Sequence, residues 1–116
     1  MRNLLVQLAG MLALAVSVVH GVLSETKVFP RVRIEPEWAR RLIRLVWQAS
    51  TVAWICLAIL LITAPSMGSE AAREWIIAMS IVTFGAAAIG NAWATRGRHF
   101  GWVAMTIVVG LAAIGL

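Results

Sequence analysis

The sequence predicts an all-α fold, a transmembrane four-helix bundle with both termini on the outer (periplasmic) side. Three observations predict it. The chain is 61% hydrophobic and 13% charged, against about 45–50% and about 25% for an ordinary soluble domain. Its apolar residues fall into four segments near the length a hydrocarbon core requires, roughly 20 residues of helix. Its cations gather at the ends of those segments. A chain of 116 residues forms one domain, a single transmembrane unit over 1–116.

The first helix is expected over 3–23. Ala9, Ala13, Ser17 and Gly21 recur every four residues, so they share one face, with Gln7, Gly10 and His20 beside it. Small residues on one face let helix backbones approach closely in lipid. The second helix is expected over 36–64. Pro36 suits a first helical position, and Pro65 pushes the residue before it out of the helical region. The third is expected over 70–95, capped by Ser69 with Glu70 complementing its dipole and ended by Arg96 and Gly97. Its small and polar face is Ser80, Thr83, Ala87 and Asn91, flanked by Ala86 and Gly90. The fourth, over 99–115, is the shortest, with Gly97, Gly101, Thr106 and Gly110 as its packing positions.

Charge sets the orientation. The first connecting loop carries Lys27, Arg31, Arg33, Arg40, Arg41 and Arg44. The second turn carries Arg73, and the third carries Arg96, Arg98 and His99. Lys and Arg stay on the cytoplasmic side, so loops one and three are cytoplasmic. A cleaved signal peptide ending before Glu25 would place the six-cation loop outside, and the first apolar run is long for a signal. Trp38, Trp75, Trp93 and Trp102 stand near segment ends, where indoles anchor at headgroup level. The net charge of +5 is thereby a lipid and topology signal; no nucleic-acid partner is expected. Cys56 stands alone, which excludes an internal disulfide and a cysteine-rich metal site.

Polar residues concentrate at one depth. His20 lies about one turn inside the cytoplasmic boundary near Ser24. Gln48 of the second helix and Asn91 of the third read at the same level, with Trp102 serving the fourth. Above them stand Glu25, Arg40, Arg41, Arg44, Arg96, Arg98 and His99. The outer half offers only Gln7, Thr63, Ser80 and Thr106. His20, Glu25, Arg44, Gln48, Asn91, Arg96, Arg98, His99 and Trp102 are therefore the ligand-binding candidates. Polar side chains in lipid also clamp helices together, and arginines snorkel to phosphates. Trp47 and Trp54, seven apart on one helix face, are packing residues or a stacking platform for a ring-shaped ligand.

Catalytic signatures are absent: no phosphate loop, no HExxH and no G-x-S-x-G occur. All five carboxylates (Glu25, Glu35, Glu37, Glu70, Glu74) lie outside the apolar spans, and the chain has no aspartate. No catalytic residue, metal site or cofactor is expected. His20 and His99 as paired axial ligands give a haem alternative, and zinc lacks a fourth ligand.

The length and four-helix layout resemble the small multidrug resistance transporters. That family is similar in carrying a glutamate in the middle of its first helix, where this chain reads MLALAVSVV, so the resemblance argues against that activity. HGVLSE (His20 to Glu25), RLIRLVWQASTVAW (Arg41 to Trp54) and RGRHFGW (Arg96 to Trp102) resemble segments of small uncharacterised four-helix proteins of bacterial inner membranes. In that group a histidine often stands where this chain has Gln48. The resemblance implies fold and location and supplies no activity.

The expected function is a non-enzymatic, multi-pass inner-membrane protein, structural or accessory. Its cytoplasm-facing basic layer binds anionic membrane lipid or a membrane partner, with a homo-oligomer allowed. The alternatives are a small oligomeric transporter and a haem- or quinone-associated redox subunit. The loop over 24–41 holds the amphipathic stretch RVRIEPEWARRLIR, suited to a membrane surface.

Overall fold

A computed structural model describes residues 1–116. Four α-helices make up the chain: α1 (Arg2–Leu23), α2 (Glu37–Thr63), α3 (Glu70–Thr95) and α4 (Gly101–Ile114). A π-helical turn, Ser24–Val28, extends α1, and a 3-10 turn, Ala64–Ser66, closes α2. The expected loop at 24–41 is thus shorter: the helical path continues to Val28, and α2 resumes at Glu37. Three of them, α1, α2 and α3, are long and apolar enough to cross a membrane. α4, expected to cross as well, has 14 residues, a rise of about 21 Å.

Local chemistry sets the helix ends. Ser69 Oγ accepts the Ala72 N–H at 3.2 Å, capping α3. Arg96 adopts a left-handed conformation with φ 52°, and Gly97 follows at φ 74°. The Gly97 N–H closes back on the Ala92 carbonyl at 2.8 Å, satisfying a carbonyl that the helix end leaves open. Pro36 is the residue before α2 rather than its first turn, and Pro65 sits inside the 3-10 turn that stops α2.

The helices alternate up and down. α1 packs on α2 and α4, α3 packs on α4, and α2 meets α3 only slightly. The small-residue face of α1 is buried as expected: Ala9, Ala13, Ser17 and Gly21 all face the interior. Gly10 makes the closest approach. A Cβ there would lie 2.7 Å from Ile62 Cγ1, 2.8 Å from the Ile62 nitrogen and 2.9 Å from the Ala58 carbonyl oxygen. Gly21 repeats the device about three turns on, where a Cβ would meet Thr51 Cγ2 at 2.8 Å.

The faces of α3 and α4 match expectation in part: Ser80 and Gly101 are buried, and Thr83, Ala87 and Asn91 are half-buried. α3 buries Arg73, Ile77, Ser80, Phe84 and Ala88, while Ala86 and Gly90 are exposed. α4 buries Gly101, Met105, Val108 and Ala112, while Thr106 is exposed and Gly110 has open space around it. Phe84 supplies the reason on α3: its ring fills the gap beside Trp54, centroids 5.6 Å apart, so that pair is held by a large side chain.

The outside is apolar. Met11, Val52, Val82, Ile89 and Ile107 are all exposed along the flanks. Trp38 and Trp93 at one end and Trp75 at the other are exposed too, Trp93 to 85%. The molecule is 49 Å long, which exceeds a bilayer's hydrocarbon thickness of about 30 Å. An apolar belt bounded by indoles is the surface a bilayer solvates.

Candidate functional site

The end of the bundle formed by the α1–α2 connection and the α3–α4 turn carries most of the cations and is the basic end. Here eight of the nine candidate residues fall into two groups, with His20 between them.

The first group joins α1 to α2. Arg44 grips the Glu25 carboxylate with two donors, Nε at 3.0 Å from Oε1 and an Nη on Oε2. Such a fork fixes geometry as well as charge. Gln48 Nε2 lies 2.9 Å from Glu25 Oε1, 2.8 Å from Ser24 Oγ and 3.2 Å from the Gly21 carbonyl oxygen. Gln48 therefore turns toward α1 and does not line a common space with Asn91. Adjacent residues point about 100° apart on a helix, and the neighbouring Trp47 takes the inward direction. The π turn brings Ser24 and Glu25 over α2, which presents them to this amide. Gln48→Leu should lower bundle stability by about 1 kcal/mol, the net worth of a buried polar contact. Chemical or thermal unfolding in detergent checks it. An unchanged midpoint would show that the amide does not tie the helices.

The second group closes the α3–α4 turn. Asn91 Oδ1 accepts the Trp102 N–H at 3.1 Å, satisfying an open donor at the start of α4. His99 Nδ1 accepts the Gly101 N–H at 3.0 Å and faces Asn91 Nδ2 at 3.4 Å. Trp102 donates its indole N–H to the Gly97 carbonyl at 3.0 Å. Arg96 and Arg98 are exposed on the turn.

His20 stands between the groups. Its ring stacks on Trp54 with centroids 4.3 Å apart and on Trp47 at 4.9 Å. Its Nε2 lies 3.3 Å from Ser50 Oγ, and the Trp47 indole N–H donates to its carbonyl at 3.2 Å. Of the two readings offered for Trp47 and Trp54, packing is what they do: the chain's own imidazole stacks on both indoles. Phe29, buried at the end of the π turn, meets Trp47 edge-on at 5.8 Å. Arg40 donates to the Phe29 and Val32 carbonyls at 2.7 and 2.8 Å, binding the loop to α2.

A cavity of about 410 Å³ lies beside this stack. Leu12 and Val16 of α1 and Ala104 and Met105 of α4 give it apolar walls. His20, Asn91, Thr95 and His99 are its polar lining, and Trp47 and Trp54 border it. His20 and Asn91, expected at one level, therefore do meet around one space, and His99, expected above them, joins them. Gln48, Trp102, Glu25 and the arginines stand outside it. No three His, Cys, Asp or Glu side chains are grouped as a metal site would need.

The opposite end holds a polar site that sequence reading missed. Arg73 is buried to 5% exposure. It donates to the Gly115 and Leu116 carbonyls of α4's end and to Glu70 at 3.4 Å. Arg2 reaches the same Glu70 at 3.4 Å and also donates to the Leu116 carbonyl. The one available signal was a cation three residues after an acid in a first helical turn, which reads as a local pair.

No protein-family model, no curated protein and no solved structure matches the chain.

Proposed function

We propose that this chain is a non-enzymatic, multi-pass protein of a bacterial inner membrane, structural or accessory in role. All four helices cross, both termini lie outside, and the basic end faces the cytoplasm and holds anionic phospholipid. One observation carries the reading: the unpaired cations sit at one end. At the opposite end Arg2 and Arg73 share Glu70. At the basic end Arg33, Arg41 and Arg44 have carboxylate partners, whereas Lys27, Arg31, Arg96 and Arg98 have none and are exposed. Four unpaired cations around an indole-bounded apolar belt match the surface that anionic headgroups attract. The resemblance of HGVLSE and RGRHFGW to segments of small four-helix inner-membrane proteins supports the same placement.

The test removes those charges together. Lys27→Gln, Arg31→Gln, Arg96→Gln and Arg98→Gln in one variant should retain several-fold less anionic lipid in native mass spectra than the wild type, at equal helicity. Equal retention overturns the lipid reading. Orientation is tested on a Cys56→Ala background with an impermeant thiol reagent. Ser69→Cys should label in cells with a permeable outer membrane, and Thr26→Cys only after the inner membrane is opened. The reverse pattern overturns the orientation.

A further inference from the structure

The cavity at the basic half selects among molecules dissolved in a membrane. Its volume of about 410 Å³ falls in the range of small-molecule sites, about 300–1,000 Å³. No Lys, Arg, Asp or Glu lines it, so its occupant is uncharged, because an unpaired charge would be costly in such a setting. Ala15, Val19 and Phe100 of its lining are exposed on the side of the bundle, which opens it to the lipid phase.

Hydrogen bonding narrows the choice. Ser50 Oγ gives its single proton to the Trp47 carbonyl at 2.6 Å, so toward His20 Nε2 it accepts. His20 therefore carries its proton on Nε2, and its Nδ1 is a bare acceptor. His99 has the same form: Nδ1 accepts the Gly101 N–H, which places the proton on Nε2 as a donor. Neither His20 Nδ1 nor His99 Nε2 has a protein partner, and neither is sealed from the surface. Both imidazoles line the cavity, so these two nitrogens are the candidate partners of an occupant, an acceptor from α1 and a donor from the α3–α4 turn.

An acyl chain would leave both nitrogens against hydrocarbon, where an unmade hydrogen bond is costly. A lone carbonyl would serve only the donor. A flat, uncharged ring with an oxygen at each end serves both. One oxygen accepts from His99 Nε2–H, the other donates its O–H to His20 Nδ1, and the ring lies against apolar and aromatic walls. We infer that the cavity between α1, α4 and the α3–α4 turn binds the ring of a lipid-soluble hydroquinone, the reduced form in preference to the quinone. A quinone's two carbonyls only accept, so one of them would face the His20 lone pair. The tail leaves through the exposed side at Val19.

This goes beyond the anionic-lipid reading and uses none of its cations, so either can fail alone. Equilibrium dialysis of the purified protein in detergent against a short-tailed benzohydroquinone, kept reduced under argon, and against its oxidised form tests it. Saturable binding near one per chain is expected, with the reduced form about 10-fold tighter, the value of one hydrogen bond of about 1.4 kcal/mol. Ala104→Phe should fill the cavity and abolish binding, and His99→Leu should weaken it about 10-fold. The inference is overturned by no saturable binding of either form, by equal binding of both, or by wild-type binding by Ala104→Phe. Co-purified phospholipid that is lost in Ala104→Phe, with no hydroquinone binding, would mark a lipid-tail cavity and also overturn it. The preference between oxidation states is read on the wild type, so the test survives a variant that fails to fold.

Discussion

Arg73→Met should be among the most destabilising substitutions in the bundle, by about 3 kcal/mol. The guanidinium is buried and spends its donors on the Gly115 and Leu116 carbonyls and on Glu70. A hydrogen bond to a charged group contributes about 1.5–3 kcal/mol. Removing the donor leaves the carbonyl of buried Gly115 unpaired, while the Leu116 carbonyl keeps Arg2. Glu70 is not stranded, because it is exposed and keeps Arg2 at 3.4 Å. The cost therefore falls on the attachment of α4 to α3. Arg73→Lys should recover only part, since an ammonium cannot reproduce the planar fork. Arg2→Met, at an exposed position, should change stability by less than about 1 kcal/mol. Unfolding midpoints of the three variants in one detergent decide it. Equal midpoints for Arg73→Met and Arg2→Met would show that the buried contacts do not hold α4.

Gly10→Ala should cost about 2 kcal/mol although it adds a single carbon. That carbon would lie within 3 Å of three α2 atoms, two of them backbone. Backbone in a straight helix cannot turn aside, so α1 and α2 must separate, and overpacking of this kind costs about 1–3 kcal/mol. Gly90→Ala is the matched control. Gly90 is exposed, with nothing within 4 Å of an added Cβ, so alanine there should be neutral or stabilising by up to about 1 kcal/mol. Opposite signs for the two substitutions, read by thermal unfolding, locate the α1–α2 contact. A neutral Gly10→Ala would mean the helices do not approach as closely as they stand here.

The parts of this fold legible in the sequence are those set by neighbours along the chain. Ser69, Pro65 and the Arg96–Gly97 pair act within a few residues, and the helices end within two residues of where they were expected. The α1 face was legible because every fourth residue is small. The α3 face was legible in part, since Ser80 is buried, but the same rule passed over Phe84, whose size fits a space defined by Trp54 on another helix. Arg73 was hidden for a related reason: its partners are carbonyls 42 and 43 positions away, and backbone groups leave no mark on the residue type. At the candidate site, depth placed His20 and Asn91 in one layer, and both line one space; His99, expected above that layer, joins them. Depth does not give direction about the helix axis, so Gln48 was grouped with them, and of the two readings offered for Trp47 and Trp54 the imidazole stacked on both indoles shows packing.

The brevity of α4 has a consequence for the medium around it. At about 21 Å it rises roughly half as far as α2, whose 27 residues give about 40 Å. Its ends can stop at depth because other elements satisfy them: Asn91 and His99 at the start, Arg73 and Arg2 at the finish. Under the proposed placement, with α4 crossing, the lipid beside α4 thins while the lipid beside α2 does not, at a fraction of a kcal/mol per ångström of mismatch. The molecule is then a wedge in thickness. A sheet of such molecules would lower its elastic strain by turning the thin flanks toward one another, so bilayer thickness alone would bias how neighbouring copies are oriented.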